Sequence, residues 1–149
     1  MTVTPNYISQ RQFLVTAKAA DPKWVDISGT WMTKSGGNVT SDSVKVYAGG
    51  SKSPVVLTGI PEHDNVTISR AYDTGVDGPM LAKLREQVGS WRGSITIVET
   101  DPDWAPIATT TYTTCVLVGI NVPEYESTSS DPASIQLEFA VTGATGPTK

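Results

Sequence analysis

The sequence holds a single cysteine, a single histidine and no apolar run approaching the ~18 residues that a bilayer-spanning helix requires. With one thiol, Cys115 cannot close an internal disulfide, and its position in the run TTCVLVGI predicts a small core residue. His63, in IPEHDN, has no second histidine or nearby cysteine to share a transition metal with; no metal or cofactor site is expected, and His63 reads as a solvated loop residue. Positive charge is scarce as well. Eleven Lys and Arg stand against 15 Asp and Glu, a net charge of −4 with no basic cluster, which argues against tight binding of nucleic acid. The opening MTVTPNYISQRQF lacks a basic stretch followed by an apolar one, so neither a classical secretion signal nor membrane insertion is expected.

What the chain does have is Thr and Val, 20 and 16 of its 149 residues, and β-branched side chains favour strands. The length suits one domain over residues 1–149 with one real core. RQFLVTAKA opens as a strand, and WVDISGTWMTKS gives extended chain bent at Gly29. NVTISRAY alternates Val66 and Ile68 against Thr67 and Ser69, and ASIQLEFAV alternates Ile135, Leu137, Phe139 and Val141 against Ser134, Gln136 and Glu138. Each is a strand with one buried and one wet face. RGSITIVETD predicts another strand, and DPDWAPIATTTYTTCVLVGINVPEYES two more.

Between Asp77 and Gly89 the pattern changes to a helix over about residues 79–88. Asp77 or Gly78 is a candidate cap, Pro79 suits the first turn, Gly89 suits a left-handed end, and Met80, Leu81, Leu84 and Val88 share a stripe. The segment from about 36 to 64 carries turn residues and only short apolar pairs. It reads as a long protruding hairpin arm that cannot bury itself. The last residues, about 142–149, read as a flexible tail. Seven or eight strands with one flanking helix imply a mainly β fold, a β-sandwich or small barrel.

Asp73-Thr74-Gly75 matches the short signature of aspartic proteases, in which two carboxylates share a proton, and a homodimer could supply both. That chemistry needs the Asp in a buried loop after an apolar strand, whereas Arg70-Ala71-Tyr72 precedes it and Val76-Asp77-Gly78 leads into the helix. A turn that launches the helix is the favoured reading. Trp24, Trp31, Trp91 and Trp104 could be sugar-stacking platforms of a carbohydrate- or protein-binding β-sandwich, but core or interface roles are favoured. The acidic groups DTGVD and TDPDW lack the spaced oxygen ligands of a calcium loop. No nucleophile, base and oxyanion site assemble, so no catalytic residue is assigned.

The order of QFLVTA, the arm VKVYAGGSKSPVVLTGIPEHDNVTISRAYD, the helix MLAKLREQVG, and the strands GSITIVETD, YTTCVLVGINVPEYE and SIQLEFAV resembles that of the tail-tube (major tail) proteins of tailed bacteriophages. These are related to the inner-tube and Hcp-like proteins of contractile injection systems. The resemblance implies a structural virion protein, made in the host bacterial cytoplasm, whose hexameric rings stack into a hollow tail tube for DNA ejection. Its partners would be further copies of itself, terminator, tape-measure and baseplate or tip proteins, and a sheath if the tail contracts. Genome DNA would pass the lumen without specific binding. Six copies of a −4 chain give a ring of −24 (6 × −4), which suits passage of a polyanion. The polar positions Thr67, Ser69, Ser134, Gln136 and Glu138 are then expected to face the lumen. Tyr47, Gly49, Gly50, Lys52 and Pro54 are expected to form an arm reaching a neighbouring subunit or ring.

Overall fold

A computed structural model describes residues 7–50 and 52–148. Strand β1 (Phe13–Ala19) is followed by a loop and β2 (Thr33–Gly36). The chain then forms the short β3 (Val39–Thr40), β4 (Ser43–Val46), β5 (Val55–Thr58) and β6 (Glu62–His63), and returns in β7 (Val66–Ala71). Helix α1 (Asp77–Leu84) precedes the long strands β8 (Arg92–Thr100) and β9 (Pro106–Asn121), and β10 (Ser134–Ala140) and β11 (Gly143–Thr148) close the chain.

Seven strands make one antiparallel sheet in the order β1-β8-β9-β10-β7-β2, with β11 on β9. The sheet rolls up without closing: one isolated bridge joins Val15 of β1 to Trp31, two residues before β2, where the Trp31 amide donates to the Val15 carbonyl at 2.8 Å. Inside the roll lies the core: Val15, Val66, Ile68, Trp91, Ile95, Leu117, Ile135, Leu137 and Phe139 are all fully buried. The strict alternation on β7 and β10 causes this, because a period of two sends every second side chain to one face. Each such aliphatic or aromatic side chain contributes about 1.5–3 kcal/mol on leaving water. Trp91 anchors the centre, its ring tilted 57° against Phe139 at 5.4 Å and its indole N–H donating to the Val25 carbonyl at 2.8 Å.

Helix α1 plugs one end of the roll with Met80, Leu81 and Leu84. It starts two residues earlier and ends four earlier than the periodicity predicts, since Pro79 is compatible with the third helical position and the chain tightens into turns after Leu84. Val88 therefore leaves the stripe and is exposed. The left-handed glycine is Gly89, with φ of 89°, but it ends those turns rather than the helix itself. Neither Asp77 nor Gly78 caps the helix: Val76 occupies the cap position without a side-chain hydrogen bond, and Asp77 is buried for another purpose described below.

Two further expectations are corrected. Residues 143–148 are not a free tail: β11 pairs with β9, Gly143 to Thr113 and Thr145 to Thr111. Its Gly, Thr and Pro content hides a strand whose pairing comes entirely from its neighbour. And the stretch from Pro106 to Asn121 is one 16-residue strand rather than two. A bulge at Thr114, which adopts a φ of 52°, bends it so that one half serves β11 and the other β10.

Candidate functional site

The residues singled out for chemistry are turn and core residues. Asp73 folds back on its own loop: its carboxylate accepts from the Gly75 amide at 2.9 Å, and its carbonyl accepts from the Asp77 amide at 2.7 Å. His63 sits in β6 opposite Val39, and among the described residues no group of three or more His, Cys, Asp or Glu could hold a metal ion. Cys115 is buried, and desolvation pushes its thiol up to about 11, which leaves it protonated and inert at neutral pH. Trp31 and Trp91 belong to the core and Trp24 packs against it; Trp104 is exposed. The four do not form a platform.

Two surfaces remain, and both are unlike an ordinary wet exterior. The first is a polar wall. Because Ile135, Leu137 and Phe139 point inward, Ser134, Gln136 and Glu138 must point outward, and the register sets Gln136 beside Ser69 and Glu138 beside Thr67. On the next strands Thr33 faces Ser69, Ser35 faces Thr67, and Asn121 faces Gln136. The side chains are linked across the strands: Asn121 Nδ2 donates to Gln136 Oε1 at 2.8 Å, Asn65 Nδ2 to Glu138 Oε1 at 3.0 Å, and the Thr33 and Ser69 hydroxyls share a short hydrogen bond. All five residues predicted to line a channel thus fall on one face, at the surface of β7 and β10, with Glu138 the one ionisable group among them.

The second surface is the arm. β2 and β7 run on into β3 paired with β6 and then β4 paired with β5, three stretches of one interrupted hairpin. Gly36 permits the turn-out at its base: its φ is 81°, and a Cβ there would lie 1.9 Å from the Asn65 carbonyl oxygen. Pairing of Val44 with Leu57 and Val46 with Val55 puts four apolar side chains on one face of the distal ladder, each 45 to 61% exposed. Ser43, Lys45, Val56 and Thr58 take the other face. Beyond it Tyr47, Gly49, Gly50 and Lys52 are exposed and Pro54 is half-buried. No residue of β4 or β5 is buried, so none of the described residues covers the apolar face.

Sequence reasoning missed two further features. One is an ion pair beneath the helix: Arg70 is stacked over the Trp31 ring at 4.2 Å, donates to the Ser28 carbonyl, and pairs with Asp77, which is 1% exposed. Asp77 also accepts from the Asp73 amide at 3.0 Å, which ties the turn to the helix. The other is a groove of about 940 Å³ at the loop joining β9 to β10, lined among others by Ile120, Val122, Pro123, Glu124, Glu126 and Asp131. Its signal was the alternation of apolar and acidic residues in VPEYE, too short to separate from a solvated loop.

The chain is a rolled antiparallel sheet with one helix packed on its core, a polar face on β7 and β10, and an arm with no buried residue in β4 or β5. In particular, the fold is that of the tube and Hcp proteins of contractile injection systems. No family model matches the sequence, and no curated protein matches it. Among solved structures, the chain is similar over 97% of its length to 93% of a chain in the anti-feeding prophage cap (AFP tube terminating cap), with a TM-score of 0.77 and 15% identity. It is also similar over 93% of its length to 90% of a chain in the sheath-tube complex of the extracellular contractile injection system PVC in its extended state, with a TM-score of 0.74 and 16% identity. Hcp1 from Salmonella typhimurium is more distant, with a TM-score of 0.51 and 12% identity over 89% of this chain and 84% of that one. At these identities the likeness establishes the fold.

Proposed function

We propose that this protein is a structural, non-enzymatic subunit of a hollow tube: copies close into hexameric rings, and the rings stack. The observation that carries the reading is the likeness, over more than nine-tenths of the chain, to a chain of a sheath-tube complex and to one of a tube-terminating cap. Two properties of the molecule agree with it. An apolar arm face left uncovered in the monomer gains stability only when another chain covers it. The hydrogen-bonded polar wall on β7 and β10 suits a water-filled bore, where Thr67, Ser69, Ser134, Gln136 and Glu138 would present hydroxyls, an amide and a carboxylate but no cation.

The function is then passage. A bore without Lys or Arg offers phosphates no counter-ion exchange, so DNA would slide through without being held. Tail terminator, tape-measure and baseplate or tip proteins would meet the ends of the tube, and a sheath would surround it in a contractile particle. The virion is the proposed location. A second reading replaces genome delivery by delivery of another cargo from a phage-like particle; it is favoured by the likeness to chains of an anti-feeding prophage cap and of the sheath-tube complex of an extracellular contractile injection system. Against a sugar-binding module, the four tryptophans are dispersed between core and surface, and against a protease, the Asp73 carboxylate is engaged by the Gly75 amide of its own turn.

Negative-stain electron microscopy of the purified chain is the test. Hollow rings or tubes with sixfold end views are expected; a monomer at every concentration and ionic strength would overturn the reading.

A further inference from the structure

We propose that Lys34, Tyr112 and Glu138 are positioning residues that grip the root of the arm and fix its direction in the single chain. The grip is complete within one copy, so it stands whether or not copies close into a tube.

The root is the weakest part of the hairpin. β2 pairs with β7 as far as Gly36 opposite Val66, and the ladder resumes only at Val39 opposite His63. At this break Gly36 and Gly37 have φ of 81° and 80°, and successive left-handed glycines restrain a backbone very little. None of the described residues from 38 to 64 is buried, so the core gives the arm no direction of its own. A hairpin joined to its sheet through such a break swings unless side chains hold it.

They hold it from two sides. On the inner side is Lys34, which pairs with the fully buried Ile68 and so lies on the core face of β2, where a cation costs desolvation. Its ammonium donates to the Gly36 carbonyl at 2.7 Å and lies 5.1 Å from the centre of the Tyr112 ring. The same ring, 7% exposed, abuts the next residue: a Cβ on Gly37 would lie 2.7 Å from the Tyr112 hydroxyl and 2.8 Å from its ring carbons. The outgoing strand is therefore held at two successive residues.

On the outer side is Glu138 of the polar wall, whose carboxylate accepts from Asn65 Nδ2 at 3.0 Å on the returning strand. Asn65 passes that hold across, because its carbonyl oxygen would lie 1.9 Å from a Cβ on Gly36. Just beyond, the Asp64 amide donates to the Asn38 carbonyl at 2.9 Å and Asn38 Nδ2 to Asp64 Oδ2 at 3.3 Å, so a hold on either strand aims both. The consequence is preorganisation: an arm already aimed loses less conformational freedom when another chain covers its apolar face. Core packing explains neither the ammonium of Lys34 nor its bond to the root.

The test uses the full chain at a dilution where it is monomeric. Hydrogen–deuterium exchange is read over residues 36–40 and 62–66, and the direction of the arm from the distance distribution between nitroxides at Gly49→Cys and Ser134→Cys, Cys115 being buried. Lys34→Met, which keeps the stem and removes the ammonium, and Glu138→Ala are each expected to speed exchange at the root about threefold to tenfold and to widen the distribution. Lys34→Arg keeps the donor and Glu138→Gln keeps the acceptor, and both should stay close to the unaltered chain. The melting temperature of Lys34→Met should stay within about 3 °C of it. Exchange and distances unmoved in Lys34→Met and Glu138→Ala, or an unaltered chain already as broadly distributed as Lys34→Met, would overturn the grip. So would a Lys34→Met chain that melts much lower and exchanges faster throughout, because Lys34 would then support the core and not the arm.

Discussion

Among the described residues, Arg70 makes the ion pair of the fold, with Asp77. It is the penultimate residue of β7, on the core-facing side, where a guanidinium has little water, and is kept there by a ring face, a carbonyl and the carboxylate of Asp77. Truncating it strands a carboxylate that is 1% exposed, and breaking a buried pair from one side costs about 3–5 kcal/mol. Arg70→Ala is expected to lose that much in urea unfolding, and Arg70→Lys about half, because an ammonium keeps the charge but not the planar fork. A loss under 1 kcal/mol for Arg70→Ala would mean that water reaches Asp77. None of this was legible beforehand. Arg70 and Asp77 are linked across a turn, a spacing with no periodic signature, so Asp77 read as a cap. Asp73 was legible because its bond to the Gly75 amide is local and follows from residue type.

Among the elements, those that bury one face were readable and those that depend on a neighbour were not. β7 and β10 follow from their own alternation. β11 exists because β9 offers it an edge, and β9 stays whole because a bulge at Thr114 absorbs the bend that a turn would otherwise supply. The arm was legible by deficiency, having turn residues and too little to bury, and its deletion separates folding from assembly. The core residues all lie outside the stretch from 37 to 64. Removing Gly49 to Lys52 should therefore leave the melting temperature within about 3 °C of the intact chain, while tube growth falls sharply in microscopy. A deletion variant that forms normal tubes would show that the arm is not a docking element, and one that melts much lower would show that it supports the core.

For the whole molecule, what matters is which part of the outer surface of the roll would line the bore of the proposed tube. The alternation of β10 fixes that Ser134, Gln136 and Glu138 share a face, and the register adds Thr67 and Ser69, but a single chain has no inside and outside of a ring. Chemistry in the assembled state can tell them apart, because Cys115 is buried with its thiol pushed up to about 11 and so stays silent toward maleimides at neutral pH. Ser134→Cys, at an exposed position, supplies the one reactive thiol. A small maleimide is expected to label it in both monomer and tube, since it diffuses through a water-filled channel. A maleimide on a large polymer is expected to label the monomer and to leave the tube nearly unmodified, because it cannot enter the bore. Equal labelling of tube and monomer by the large reagent would put β10 on the outer surface, and protection from both reagents would put it in a subunit interface; either result would remove the assignment of this wall to the channel.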